Sequence, residues 1–174
     1  MIKYTWHEEE VPKNLEIKQV HGVLVTDDGR IMVRIKNGSY RLTGGHPEPE
    51  DTDPVATMQR EAKEEADCEL DYIDYIGYQE VTGDGEPYAQ MRVVARIAKI
   101  NPATPDPDRS GSWTYGRKLV TPADAIENLP FGEINEKLIF KAMDVATENN
   151  YFTEPISEEE ELINPEDKQS DDPR

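Results

Sequence analysis

Apolar and polar residues alternate along several short stretches of the chain, which is the pattern of half-buried β-strands. Ile31, Val33 and Ile35 occupy every second position of one such stretch. The dipeptide Asp28-Gly29 separates this stretch from the apolar run before it, and such a dipeptide between two strands is a strong hairpin signal. The sequence therefore predicts a hairpin, followed by a short third strand that ends in two glycines.

A helix is predicted directly after these strands. Asp53-Pro54 supplies an N-cap acceptor followed by proline at the first helical position. On a wheel of about 100° per residue, an apolar stripe forms beside an arc, roughly 100° wide, that carries three glutamates. The stripe comprises Val55, Met58, Ala62 and Ala66, and the arc comprises Glu61, Glu64 and Glu65. Because like charges at this spacing destabilise a helix by roughly a few tenths of a kcal/mol per pair, the cluster requires a chemical reason.

The remaining elements complete a mixed sheet. Two long strands are predicted over about 70–81 and 88–100, joined by "TGDGEP". "WTYGRKLV" predicts a further strand, whereas "TPADAIENL" and "GEINEKLIFKAMDVATENN" predict two helices. This order is typical of an α/β fold in which helices cover both sides of a mixed central sheet.

Composition narrows the class of protein. The chain has 174 residues, enough for one domain, and a formal net charge of −18. That charge argues against a surface that follows nucleic-acid phosphates, although a bound divalent metal can invert the local field for a small phosphorylated ligand. The single cysteine, Cys68, excludes an intrachain disulfide and a cysteine-rich zinc site. No apolar run approaches the ~20 residues that span a bilayer, and the N-terminus is too polar for a secretory signal. We therefore expect a cytoplasmic protein without a membrane partner.

The charge also divides the chain into parts. We expect an N-terminal segment over residues 1–11, a domain over 12–152 and an acidic tail over 153–174. From Glu154 to Arg174, nine acidic residues stand against two basic ones, which gives a charge of −7. The tail lacks aromatic residues after position 153 and has few apolar ones, so the sequence predicts that it is mostly disordered.

The stretch from Gly45 to Cys68 resembles the Nudix box. In that motif, five residues separate a glycine from a glutamate, and seven more separate this glutamate from an Arg-Glu pair. An apolar residue, any residue, Glu-Glu, any residue, Gly and an apolar residue then follow. "REAKEEADC" matches the helical half in register, and "RLTGG" resembles the lead-in. This chain departs by one extra residue in the loop "HPEPEDT" and by Asp67 in place of the second glycine. A loop tolerates an insertion, and Asp tolerates a left-handed backbone better than most residues.

The resemblance implies an α/β/α Nudix fold and a hydrolase that cleaves a diphosphate linkage in a nucleoside diphosphate joined to another group. It implies Mg²⁺ or Mn²⁺ as cofactor, since these ions take carboxylate oxygens, water and substrate phosphates as ligands. The implied metal ligands are Glu61, Glu64, Glu65 and the carbonyl group of Gly45. The resemblance does not select the group attached to the nucleoside diphosphate.

Catalytic roles are implied for three residues of the box. We expect Glu64 or Glu65 to act as the general base, and Arg60 to be held by an acidic residue of the preceding loop, either Glu50 or Asp51. Family members also take the base from a later loop. Candidates outside the box are Glu80, Asp106 and Asp108, which no motif supports.

Aromatic and basic residues around the box are candidates for substrate contacts, because rings stack on bases and guanidinium groups bind phosphates. They are Tyr40, Arg34, Arg41, Trp113 and Arg117. Core packing and ordinary surface charge explain the same residues equally well. Cys68, at an apolar position of the motif, is better explained as a core residue than as a nucleophile.

Two functions of other classes stay open. One is a Nudix-fold module that binds a nucleotide without cleaving it, which the intact Arg-Glu and Glu-Glu pairs disfavour because such modules commonly lose them. The other is an acidic interaction protein, which depends on the tail alone. The family also forms dimers frequently, so a homodimer is one assembly that the resemblance allows.

Overall fold

The computed structural model describes residues 1–105 and 113–168, and in this part of the chain strands predominate. The strands are β1 (Lys3–His7), β2 (Glu16–Val25), β3 (Ile31–Lys36), β4 (Ser39–Arg41), β5 (Thr43–Gly45), β6 (Cys68–Thr82), β7 (Tyr88–Ile100), β8 (Trp113–Thr114), β9 (Gly116–Val120), β10 (Glu161–Asn164) and β11 (Asp167–Lys168). The helices are α1 (Pro54–Ala66), α2 (Pro122–Asn128) and α3 (Ile134–Glu148). The predicted hairpin, the two long strands and the three helices are all present.

The strands form a mixed sheet in the order β1-β6-β7-β2-β3-β9-β10, with β4 added to β3 and β5 to β2. Strands β2 and β7 run parallel, and the other neighbours in this order run antiparallel. Helix α1 packs on one face, and α2 and α3 pack on the other. The predicted α/β/α arrangement around a mixed sheet is therefore confirmed.

Alternation along β2 divides the core between the two faces. Val20 and Leu24 pack with Met58 of α1, whereas Val23 packs with Leu138 of α3, and all five side chains are buried. Burying one aliphatic side chain of this size contributes about 1.5–3 kcal/mol relative to exposure. The two-residue period thus fixes which residues of β2 face each helix.

The buried face of α1 differs from the predicted stripe at its first turn. Val55 is 41% exposed, whereas Thr57 and Glu61 are buried. Thr57 donates a hydrogen bond through Oγ1 to Asp51 in the preceding loop. Polar contacts with this loop therefore bury Thr57 in place of Val55 at the start of α1.

Two edge strands of the main sheet, β1 and β10, and the short β11 were not predicted. β1 lies within the expected N-terminal segment and pairs with β6. The expectation of a mostly disordered tail over 153–174 is wrong for Glu161–Asn164, which forms β10 against β9, and for Asp167–Lys168, which forms β11 against β8. Acidic groups of the tail meet donors of the domain: Glu166 accepts hydrogen bonds from the backbone N–H groups of Asn37 and Gly38 at 2.8 and 2.9 Å. The acidity that indicated disorder therefore supplies contacts that dock this segment.

Among the helices that the structure describes, none combines the length and apolar character that crossing a bilayer requires.

Candidate functional site

Helix α1 is positioned by local signals at both ends. The carboxylate of Asp53 accepts a hydrogen bond from the N–H group of Ala56 at 2.8 Å, and Pro54 opens the helix. Asp67 ends it in the left-handed conformation, at φ 50° and ψ 43°, and its N–H group donates to the carbonyl of Ala62. The Asp67 carboxylate also accepts hydrogen bonds from Thr104, which ties the segment after β7 to the end of the helix.

Arg60 joins the helix to the loop before it. Its Nε and Nη2 atoms donate to the two carboxylate oxygens of Asp51 at 3.1 and 3.0 Å. Its Nη1 atom donates to Glu61 at 3.1 Å and to Glu64 at 3.0 Å. Of the two predicted loop acids, Asp51 and not Glu50 therefore holds Arg60. Glu48 of the same loop adds an ion pair to Arg60 at 3.5 Å.

The contacts of Asp51 explain its ionisation. The hydrogen bonds from Arg60, together with one from the backbone N–H group of Glu48 and one from Thr57, hold the pKa of Asp51 well below its usual value of 3.8. Asp51 is thus anionic, and its charge orients the guanidinium group that faces the glutamates.

Glu61 lies against the glycine that precedes the loop. It is only 7% exposed, and a Cβ atom on Gly45 would clash with its carboxylate. Burial raises the pKa of Glu61, and Arg60 opposes that shift. The carboxyl groups of Glu61 and Glu65 lie within hydrogen-bonding reach of each other. The absence of a side chain at Gly45 is therefore what admits a buried carboxyl group at this point.

Glu65 contacts a second buried guanidinium group. Its Oε2 atom lies 3.1 Å from Nη2 of Arg34 and accepts a hydrogen bond from the N–H group of Gly44. Arg34 also donates to the carbonyl of Leu42 at 2.7 Å and stacks over the ring of Tyr115 at 4.4 Å. Strand β3 thus places a positive charge beside the last glutamate of the cluster.

Comparison with known proteins supports the motif. The family model for the NUDIX domain matches residues 17–142. The chain belongs to the Nudix family. Nudix hydrolases are generally pyrophosphohydrolases that act on phosphorus anhydrides, and they generally use divalent metals. Among curated proteins, none matches this sequence.

Solved structures share the Nudix fold at low sequence identity. The pyrophosphohydrolase BsRppH of Bacillus subtilis superposes with a TM-score of 0.62 at 19% identity, over 82% of this chain and 90% of that one. A UDP-X diphosphatase gives 0.55 at 14% identity, over 77% of this chain and 64% of that one. The Ap4A hydrolase of C. elegans gives 0.53 at 15% identity, over 75% and 98%. At these identities the likeness concerns the fold.

The carboxylates of the Nudix box are balanced by arginines. Within residues 1–105 and 113–168, no three His, Cys, Asp or Glu side chains converge in a metal-binding arrangement. Glu61 and Glu65 lie together, but Glu64 is turned towards Arg60 and is 39% exposed. The positive charge beside these carboxylates comes from Arg60 and Arg34.

Two of the predicted substrate residues are engaged elsewhere. Arg117 is 2% exposed, and its three nitrogens donate to Asn164, to the carbonyl of Ala66 and to the carbonyl of Asn101. The structure therefore gives Arg117 a structural position at the end of α1. The hydroxyl group of Tyr40 donates to Asp124 at 3.1 Å and thereby links β4 to α2.

The other predicted residues have varied positions. Trp113 lies in β8, where Lys36 stacks on its ring at 5.7 Å. Arg41 is exposed and lines a cavity beside Arg34. Glu80 contacts His7 at 3.1 Å near the sheet edge formed by β1, away from the box. Asp106 and Asp108 lie outside the described residues.

Cys68 is buried in the core cluster beneath α1, as the sequence predicted. Burial raises the pKa of its thiol to about 11. The thiol is therefore neutral near pH 7 and unsuited to act as a nucleophile.

Two adjoining cavities extend the site across the sheet. The larger, of about 370 Å³, is lined by Tyr4, Gln19, His21, Gln79, Gln90, Arg92, Pro130, Phe131 and Ile134. The smaller, of about 160 Å³, is lined by His21, Arg34, Arg41, Leu42, Pro130 and Phe131. Three residues are common to both, and Arg34 of the smaller cavity contacts Glu65. Arg34 therefore connects the box carboxylates to the smaller cavity, which adjoins the larger cavity at His21, Pro130 and Phe131.

Sequence reasoning missed the polar residues of the larger cavity. Gln19 and His21 occupy alternate positions of β2, and Gln90 and Arg92 do so in β7. Paired polar residues on one face of a mostly buried strand are the signal that could have identified them.

Proposed function

We propose that this Nudix protein is a divalent-metal-dependent hydrolase. It cleaves a diphosphate linkage in a nucleoside diphosphate joined to another group. The observation that carries the proposal is the cluster of Glu61, Glu64 and Glu65 on one arc of α1, beside Gly45. Its structural neighbours named as a pyrophosphohydrolase, a diphosphatase and an Ap4A hydrolase support the same reaction class.

The cluster has the chemistry of a site for Mg²⁺ or Mn²⁺. Glu61, Glu64, Glu65 and the Gly45 carbonyl group would hold the ion, because hard cations prefer carboxylate and carbonyl oxygens. The fit is supported by Glu61 and Glu64, whose carboxylates both approach Nη1 of Arg60, at 3.1 and 3.0 Å, so that this arc already gathers carboxylate oxygens around one positive charge. When bound, the ion polarises the phosphate and lowers the pKa of the attacking water.

The residues of the chain have distinct roles in the proposed reaction. Glu64 or Glu65 accepts a proton from the attacking water as the water oxygen bonds to phosphorus. The bond from phosphorus to the bridging oxygen breaks, which yields a nucleoside monophosphate and a phosphorylated remainder. Arg60 holds Glu61 and Glu64 in position and is itself oriented by Asp51.

The test is hydrolysis of a panel of nucleoside-diphosphate compounds with Mg²⁺ and with Mn²⁺. We expect Glu65→Ala to lower kcat by on the order of 10³-fold, within the range for loss of a general base. Glu136→Ala, an exposed glutamate on α3, is the matched control and should keep full turnover. Circular dichroism spectra of both variants are recorded to check that each is folded.

Retained metal-dependent turnover in Glu65→Ala would overturn the assignment of Glu65. Silence across the panel, with nucleotide binding still measurable, would favour a binding module instead.

A further inference from the structure

The larger cavity brings polar side chains from three strands onto one face of the sheet. Gln19 is paired with Gln90, and His21 with Arg92, in the parallel register of β2 and β7. Gln79 of β6 is paired with Gln90 from the other side. This face is otherwise apolar where α2 and α3 cover it, so the polar group forms a defined site.

Arg92 is the charged residue at the base of this cavity. It is 3% exposed, and its hydrogen-bond acceptors are neutral: Gln79 at 3.0 Å, Gln90 at 3.2 Å and the carbonyl of Met91 at 3.2 Å. The ring of Phe131 lies 5.5 Å from the guanidinium group. Among the described residues, no carboxylate forms an ion pair with Arg92. A buried cation of this kind favours an anionic ligand, because the protein leaves its charge uncompensated.

Neighbouring groups favour a ligand rich in hydrogen-bond acceptors. The side-chain oxygens of Gln79 and Gln90 are turned towards Arg92, so their NH₂ donors face the other way. The Nδ1 atom of His21 is buried, and the described residues give it no hydrogen-bond partner. Burial, followed by the charges of Arg92 and Arg34, lowers the pKa of His21 well below 6.5. His21 is therefore neutral near pH 7 and contributes hydrogen-bonding groups but no charge to the cavity.

The charge of the lining contrasts with that of the whole chain. The sequence contains 37 acidic and 19 basic residues. Arg34, Arg41 and Arg92 line the two cavities, whereas neither lining contains Asp or Glu. A strongly acidic protein thus keeps a locally positive groove, which attracts and orients anions.

We infer that the cavity around Arg92 binds an anionic group of the substrate, a phosphate or a carboxylate, remote from the hydrolysed linkage. The assignment to the substrate rests on the proposed function. Arg34 contacts Glu65 and also lines the adjoining cavity, so one elongated ligand can place its diphosphate near the box and its anionic end at Arg92. Hydrolysis would then favour compounds whose attached group carries a negative charge.

The test is binding of inorganic phosphate, and separately of acetate, to the full chain without divalent metal. Side-chain NMR signals of His21, Gln79 and Gln90 report the site. We expect saturable binding that weakens at least tenfold in Arg92→Gln. Arg96→Gln is the matched control, since Arg96 lies four residues further along β7 and pairs with Asp71. The anion that binds more tightly shows whether the site prefers a phosphate or a carboxylate group.

Absence of saturable binding by either anion would overturn the inference, as would equal binding in Arg92→Gln and Arg96→Gln. If Arg92→Gln does not fold, Gln90→Leu removes an amide donor from the same cavity and should also weaken binding. Because the readout needs neither metal nor turnover, phosphate binding by a protein without hydrolase activity would refute the proposed function and the assignment to its substrate, but would leave the anion site at Arg92 standing. Hydrolysis without anion binding would refute only this inference.

Discussion

Arg92 and Arg117 are buried to the same degree, at 3% and 2% exposed, but their surroundings differ. Each of the three guanidinium nitrogens of Arg117 donates to a separate protein oxygen, at distances of 2.6, 2.8 and 2.9 Å. One acceptor is the carbonyl of Ala66, at the C-terminal end of α1, where the helix dipole favours a cation. The fold itself therefore satisfies Arg117.

The fold satisfies the guanidinium group of Arg92 only in part. Two of its acceptors, Gln79 and Gln90, share a single nitrogen, and a cavity borders the side chain. Equal burial thus accompanies different roles. The number and arrangement of the acceptors, rather than burial alone, separates a structural arginine from one available to a ligand.

The largest expected effect that tests this comparison is that of Arg117→Met. The substitution leaves the carbonyls of Ala66 and Asn101 without their buried donor, so we expect a loss of about 3 kcal/mol of unfolding free energy. Urea denaturation measures it, with the exposed Arg41→Met as control. The KM of the folded fraction should stay unchanged, since Arg117 faces protein acceptors. A raised KM without a loss of stability would restore Arg117 as a substrate contact.

The same substitution at Arg92 should have the opposite sign. Removing a buried charge that no carboxylate compensates relieves its desolvation cost, and the amide groups of Gln79 and Gln90 border a cavity where they can find other partners, so we expect Arg92→Met to gain about 1–2 kcal/mol. Urea denaturation beside Arg117→Met provides the direct comparison. A loss as large as that in Arg117→Met would mean that Arg92 serves mainly to hold Gln79 and Gln90 in the fold.

Features fixed by neighbouring residues could be predicted from the sequence. The start of α1 depends on Asp53-Pro54 and its end on Asp67, which are signals within one turn of the helix. The three glutamates share an arc because the helical period alone determines their spacing. Local rules therefore sufficed for the box and for most strand and helix positions.

Features that depend on distant residues could not be predicted. Arg34 and Glu65 come together because β3 and α1 both pack against β2, which no spacing in the chain reveals. The cavity at Arg92 needs the registers of β2, β6 and β7 at once. The docked tail depends on donors such as Asn37, far from Glu166 in the sequence. In each case tertiary packing, rather than local pattern, determines the contact.

Asp51→Asn removes the negative charge that holds Arg60. We expect it to have the smallest effect on stability of these substitutions, because asparagine keeps the shape of the side chain and one hydrogen-bond acceptor. The pKa of Asp51 lies below its usual 3.8 in the folded chain, so its ionised form stabilises the fold above that pH. This contribution disappears as the pH falls below 3.8 towards the lowered pKa. The wild type should therefore exceed Asp51→Asn in Tm near pH 7, and the gap should narrow progressively as the pH falls below 3.8. Glu50→Gln, an exposed neighbour, should show no such gap, and a gap there instead would assign the support of Arg60 to Glu50.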